Sequence, residues 1–242
     1  MEVLSVIQNW RRPANVARVV DAIRSQSVES KLAIVDCGFD GYALPPDVLD
    51  KADYVFRVDK ANLGPCCRFI PSMMLPQIPF TMFWLDDFLP GPRCLESFLK
   101  FRETIHNGHI ATLGQDGRVF RENLSGIVRK RVSAPAGKLV SVDVVVSSEL
   151  CLTRNVSNAI RLRDRVVAEN SPESISLFED DLFLCQGISK VIRRSSKVFS
   201  PSTPEESHRF QRLASNDALS SRPYHDDIRN AMVSIVTRNL MG

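Results

Sequence analysis

No run of apolar residues in this 242-residue chain approaches the roughly 20 needed to span a bilayer. The opening Met1-Glu2-Val3-Leu4-Ser5-Val6-Ile7 lacks the basic flank and small-residue cleavage site of a secretory signal, so the expectation is a cytoplasmic protein. Six cysteines are present (Cys37, Cys66, Cys67, Cys94, Cys151 and Cys185), but none forms a C-x-x-C pair. A zinc ribbon or thioredoxin-type site therefore has no support, and the cysteines read as small buried apolar residues. A Gly-x-Gly-x-x-Gly fingerprint is missing after the first apolar stretch, as is a Walker lysine loop, which removes the usual dinucleotide and P-loop readings. There is no internal repeat, no low-complexity tract and nothing resembling a linker.

What is present is an ordinary globular balance, 44% hydrophobic and 24% charged, with ample apolar material for a core. One domain over residues 1–242 is expected, built from a 1–110 half and a 111–242 half. The net charge of +3 is uneven: residues 1–110 carry 12 basic and 13 acidic side chains, and residues 111–242 carry 19 and 15. A mildly basic second half can face a polyanion, although most such charges are simply solvated.

Val3 to Ile7 reads as a strand, followed by a helix opened by Pro13, with Val16, Val19, Val20 and Ile23 on one face. Leu32–Val35, Tyr54–Val58 and Phe80–Leu85 read as further strands. Helices are expected from about Cys66 to Leu75 and after Pro92. This order predicts an open, mostly parallel α/β sheet, and its continuous apolar runs suit strands covered on both faces. In the second half, residues 109–113 suggest a strand and 114–138 a loop with short strands. Residues 140–146 are strongly β-branched, 156–167 suggest a helix, 190–199 a strand and 223–241 a final helix.

Ligands of open parallel sheets sit at the carboxyl ends of the strands. Four polar clusters fall at such ends: Gln8-Asn9-Trp10-Arg11-Arg12, Asp36, Asn62-Leu63-Gly64 and Asp86-Asp87. Adjacent carboxylates at a strand end are expected to point to different sides, one toward a metal–diphosphate and one toward a sugar or ribose hydroxyl. The plainer alternative is that Asp86-Asp87 leaves the sheet and caps the next helix.

Those residues resemble the GT-A-type glycosyltransferases, especially the family-2-like group. Val3 to Val16 is similar to that family's nucleotide-binding opening. Ile34-Val35-Asp36-Cys37-Gly38 is similar to its V-D-N-G-S strand end, Asn62-Leu63-Gly64 to its N-x-G turn, and Trp84-Leu85-Asp86-Asp87-Phe88-Leu89-Pro90 to its L-D-D-D-x-x-P motif. The resemblance covers roughly residues 3–105. It implies a GT-A-like, Rossmann-like fold and a nucleotide-sugar donor, uridine diphosphate or similar. The donor would be held by Gln8, Asn9, Trp10, Arg11, Arg12, Asp36, Asn62, Gly64, Arg68, Asp86 and Asp87. It also implies a divalent metal, Mn²⁺ or Mg²⁺, on Asp87 and Asp86, although Phe88 stands where the family has a third aspartate.

Phe178-Glu179-Asp180-Asp181-Leu182 resembles the family's later E-D-x-x-L motif, in which a carboxylate takes the acceptor's proton. The resemblance implies Asp180 as base, Glu179 orienting it and Asp181 as the alternative. The competing reading is an acidic first helical turn answering the helix dipole. The resemblance also implies a late histidine on the metal or diphosphate, here His225; Arg229, at i+4, can share its face and clamp the diphosphate with it, and a surface histidine beside Asp226 and Asp227 is the alternative.

The acceptor is open between a saccharide or lipid-linked glycan and a hydroxymethylated base in DNA, as in phage-type DNA glycosyltransferases. The latter would place the protein in a host cytoplasm. Arg129-Lys130-Arg131, Arg161 to Arg165 and Arg193-Arg194 would meet DNA phosphates, and the base would have to leave the stack. A GT-A-like module that binds nucleotide without catalysis is the other class. A nucleotidyltransferase is disfavoured by the absence of glycine between Gln8 and Pro13.

Overall fold

The computed structural model describes residues 2–38, 41–58, 64–123, 126–170, 180–201, 210–213 and 231–236. Strand β1 (Val3–Asn9) leads through helix α1 (Pro13–Arg24) to β2 (Lys31–Asp36), α2 (Pro46–Leu49) and β3 (Tyr54–Arg57). A 3₁₀ turn (Pro65–Phe69) and α3 (Ile70–Met74) precede β4 (Phe80–Trp84), β5 (Phe88–Pro90), α4 (Cys94–Leu99) and α5 (Arg102–His106). The second half contains β6 (Thr112–Gly114), β7 (Gly117–Asn123), β8 (Gly126–Val132), β9 (Leu139–Val142), β10 (Val144–Val145) and β11 (Glu149–Leu152). It continues with α6 (Ser157–Glu169), α7 (Asp180–Ile192), β12 (Ser196–Phe199) and β13 (Phe210–Arg212).

Eight strands form one mixed sheet in the order β3-β2-β1-β4-β11-β6-β12-β9. The strands of the first half pair in parallel, β3 on β2, β2 on β1 and β1 on β4. β11 then enters antiparallel between β4 and β6. The alternation of side chains along each strand divides the core in two. Val3, Ile7, Leu32, Ile34, Met82 and Trp84 pack toward α1 and α4. Leu4, Val6, Ala33, Val35 and Phe83 pack with residues of α6 and α7. α1 buries Val16, Val19, Val20 and Ile23, each worth about 1.5–3 kcal/mol. Its Pro13 sits in the first turn, where the missing N–H costs nothing. On the other face, α6 and α7 approach so closely at Gly187 that a Cβ there would lie 2.6 Å from the Asn158 carbonyl oxygen.

Several local expectations are corrected. The helix expected over 66–75 is a 3₁₀ turn followed by α3, since Pro71 has no N–H to continue the earlier ladder. The helix after Pro92 is two short ones, α4 and α5. The strand expected from Lys190 begins only at Ser196: Val191 and Ile192 complete α7, and Arg193, at φ 54°, ends it. The region 114–138 holds a long hairpin, β7 on β8, with β10 as a third strand. The β-branched run 140–146 is divided between two sheets. Of the final helix over 223–241, residues 231–236 are helical and the rest lies outside the described residues.

Candidate functional site

The parallel strands β1, β2 and β4 end on the same side of the sheet; β1 and β2 close on the polar Asn9 and Asp36, and β4 is followed by Asp86 and Asp87. Asn9, buried at the end of β1, donates from Nδ2 to Asp36 Oδ1 at 2.8 Å and to the Tyr42 carbonyl oxygen at 2.8 Å. The Gly38 N–H reaches the same Asp36 oxygen at 3.1 Å. That approach needs a glycine, because a Cβ on residue 38 would lie 2.1 Å from the Tyr42 oxygen and 2.4 Å from Asn9 Nδ2. Gln8 donates from Nε2 to the Gly64 carbonyl oxygen at 3.3 Å and so ties the end of β1 to the next turn. Arg11 lies over the Trp10 ring, 4.6 Å from its centroid. Asn62 lies outside the described residues.

Beyond the end of β4, Arg12 Nη2 is 2.6 Å from Asp86 Oδ1 and Nη1 is 3.7 Å from Asp87 Oδ2. Both carboxylates thus approach one guanidinium, and the expectation that they face opposite sides is corrected: they occupy a turn past the strand end, where alternation no longer applies. The chain continues into β5 rather than a helix, so the pair is not a helix cap either. Burial pushes the Asp86 carboxyl up to about 7; Arg12 pulls it down and Asp87 pushes it up further. β13 pairs with β5 over this turn, and the Leu213 N–H binds the Asp87 carbonyl oxygen at 2.7 Å. Phe88 packs edge-on against Phe210, ring centroids 6.2 Å apart, and Phe210 in turn meets Trp84 at 6.1 Å.

A second charged cluster lies inside the molecule, where the 3₁₀ turn, α7 and β11 meet. Arg68 Nε is 2.7 Å from Asp180 Oδ2 and Nη2 is 2.8 Å from Asp181 Oδ1, with Glu149 Oε2 at 3.7 Å. Its guanidinium carbon also lies 5.3 Å from the centre of the Phe83 ring. Burial alone would depress the charge of Arg68, but Asp180, Asp181 and Glu149 together hold its pKa above the usual arginine value. Glu149 is fully buried; that burial, with Asp181 beside it, raises its carboxyl well above the ordinary glutamate range against the pull of Arg68. The structure therefore joins Arg68 to Asp180 and Asp181 rather than to the strand-end cluster of Arg12. Glu149 went unmarked in the sequence, although a glutamate directly before Leu150-Cys151-Leu152 is a signal of a charge carried into a strand. Glu179, His225 and Arg229 lie outside the described residues.

Two carboxylates plus substrate phosphates can hold Mg²⁺. Here, however, Arg12 already occupies Asp86 and Asp87, and the third position is an apolar side chain engaged with Phe210. Among the described residues, no group of three or more His, Cys, Asp or Glu side chains is arranged to hold a metal. With Arg12 in place, the described residues do not fit a divalent ion. Also among the described residues, no helix is long and apolar enough to cross a membrane. A separate hollow lined by Glu2, Arg24, Lys31 and Asp53 opens at the amino ends of β1 and β2. Its charged groups pair with one another, Arg24 with Asp53 at 2.9 Å and Lys31 with Asp53 at 3.4 Å.

No protein-family model and no curated protein matches the chain. Solved structures do match in fold. A crystal structure of residues 1–349 of S. aureus TarS in complex with UDP aligns over 99% of this chain and 65% of that one, at 14% identity and a TM-score of 0.57. A longer S. aureus TarS structure aligns over 97% of this chain and 39% of its own, at 12% identity and a TM-score of 0.55. This chain thus spans less than two thirds of the length of either structure. At such identities the likeness is one of fold: a mixed α/β, GT-A-like architecture with an eight-stranded sheet flanked by helices.

Proposed function

We propose that the chain is a glycosyltransferase that moves a sugar from a nucleoside-diphosphate donor, UDP-linked by analogy with the TarS complex, to an acceptor hydroxyl. The observation that carries the reading is the convergence of Asn9, Asp36, Gly38, Arg12, Asp86 and Asp87 at the carboxyl ends of β1, β2 and β4, where open parallel sheets bind ligands. Both hydrogen bonds described for Asp36 fall on Oδ1, which orients the carboxylate so that Oδ2 can accept from the nucleobase or ribose. Trp10 and Arg11 lie beside this end, and the Gln8 side chain ties Gly64 to it.

In the reaction, the acceptor oxygen forms a bond to the anomeric carbon from the face opposite the leaving group. The bond from that carbon to the diphosphate oxygen breaks, and its electron pair leaves on the diphosphate. The acceptor's proton passes to a carboxylate, Asp180 with Asp181 as the alternative, and configuration inverts. Arg68 holds both carboxylates in position at the first turn of α7.

The acceptor reading is a hydroxymethylated base in DNA, with a saccharide or lipid-linked glycan as the alternative. The DNA reading is supported by the basic hairpin, where Arg121, Lys130 and Arg131 are exposed, and by exposed Arg193 and Arg194 after α7. Directly opposed Arg118 and Arg131 would repel; Asp116 lies within 3.1 Å of both and offsets this.

The test is calorimetry with nucleoside diphosphates, then UDP release from UDP-sugars offered hydroxymethylated DNA or glycans at two salt concentrations. Saturable UDP binding that is lost in Asp36→Ala, with turnover on one acceptor, is the expected result. Activity on DNA that falls steeply with salt supports the DNA acceptor, and activity on glycans alone ends it. Binding without turnover on any acceptor leaves a nucleotide-binding module. Absence of binding by every nucleotide overturns the reading.

A further inference from the structure

We infer that Arg12 is the resident cation of the donor site: it takes the diphosphate in place of a divalent metal, so that nucleotide binding is metal-independent. The inference rests on the nucleotide-sugar reading above.

A leaving diphosphate needs positive charge beside it. At the carboxyl ends of β1 and β4 that charge is Arg12, held 2.6 Å from Asp86 and 3.7 Å from Asp87. A metal entering between these carboxylates would have to break the Asp86 contact and settle against a fixed positive charge. The side chain that would complete a metal's ligand set, residue 88, is a phenylalanine locked edge-on against Phe210. β13, paired to β5 and bonded to the Asp87 backbone, keeps that aromatic contact in place.

The guanidinium is suited to the substitution. It presents five N–H donors in a rigid fork that matches phosphate oxygens two at a time. Its Nη2 is engaged with Asp86, while Nη1 is buried without a hydrogen bond of its own. A buried donor of that kind gains most from an incoming acceptor. The two aspartates then have a role other than ligation: they hold the guanidinium at the strand ends, ready for phosphate. Arg12 also sits at the start of α1, where its backbone carbonyl accepts the Val16 N–H at 3.0 Å, a bond that survives replacement of the side chain.

The experiment is calorimetric titration of the full chain with UDP, in EDTA and in Mn²⁺, for the natural protein, Arg12→Ala and Arg12→Lys. Melting curves establish that each variant is folded. The natural protein is expected to bind UDP with affinities within about threefold in the two buffers. Arg12→Ala is expected to bind about tenfold or more weakly in EDTA, the loss of a charge-assisted phosphate contact. Mn²⁺ should then restore part of its affinity, because removal of the guanidinium exposes Asp86 and Asp87 to the ion. Arg12→Lys, which keeps the charge but not the fork, should fall between the two and serves if the alanine variant does not fold. Tenfold or greater dependence of the natural protein on Mn²⁺, or unchanged binding by Arg12→Ala in EDTA, would overturn the role of Arg12 and leave the nucleotide reading intact. Absence of UDP binding by the natural protein in both buffers overturns that reading and the inference with it.

Discussion

Arg12 and Arg68 each hold several carboxylates, yet 19% of the Arg12 side chain meets solvent against 4% of the Arg68 side chain. Arg12 bridges two aspartates at an open strand end. Arg68 is enclosed by three carboxylates from α7 and β11, with aromatic rings at its back. Water and a ligand can compete for the first cluster, so its partners are exchangeable. In the second, Arg68 and Glu149 are cut off from both and their charges must be compensated internally or be neutralised, while Asp180 and Asp181 keep 10% and 11% of their side chains exposed. One arrangement leaves its charges open to new partners; the other ties the 3₁₀ turn, α7 and the middle of the sheet together.

The contrast can be broken by experiment. The largest effect is expected for Arg68→Met, which keeps the volume but leaves buried carboxylates unpaired; urea unfolding should show a loss of about 3–5 kcal/mol. A loss no larger than that of Arg12→Ala would mean that the two clusters are equivalent. For Arg12→Ala, the same measurement should give about 1–2 kcal/mol, because water can replace the lost partner.

Glu149→Gln sharpens the buried side of the comparison. The folded-state pKa of Glu149 lies above the ordinary 4.5, so its carboxyl adds stability below that pH and the addition fades as pH rises. Glutamine cannot ionise. The variant's stability relative to the natural protein should therefore climb as pH rises above 4.5, and a flat difference across that range would show that Glu149 is ionised.

The smallest effect belongs to the exposed Arg93–Glu96 pair. Hydrogen bonds from Arg93 and then Ser27 lower Glu96 from 4.5 to about 2. Its contribution is present above pH 4.5 and is lost as pH falls through about 2, so Glu96→Gln should remove that acid-side slope and lower stability at neutral pH only slightly, because solvent screens the exposed pair. A large change at neutral pH would mean that surface pairs matter as much as the interior cluster.

The first-half strands and α1 were legible because each is a local pattern. Val16, Val19, Val20 and Ile23 repeat with the helical period, and the apolar runs of β1, β2 and β4 stop at polar residues on the carboxyl side of the sheet. β11 was not legible, since four residues carry too little periodicity to distinguish a strand from a loop, and its partners β4 and β6 are remote in sequence. The same remoteness concealed the Arg68 cluster: nothing near Arg68 in the chain announces that Asp180, Asp181 and Glu149 will surround it. Arg12 on Asp86 is a comparable case, because motif order can bring both to one strand end without revealing that they touch.

The placement of β11 has a consequence for biosynthesis. β4 is apolar, is paired on one side by β1 and receives its second neighbour only when Glu149–Leu152 arrives. At roughly 5–20 residues per second, the stretch between Trp84 and Glu149 takes a ribosome several seconds to add. During that interval a nascent chain bears an unfinished sheet edge, a template for pairing with neighbouring nascent chains. Slower initiation, which spaces ribosomes along the message, should raise the yield of folded protein more than slower elongation, which only prolongs the exposure.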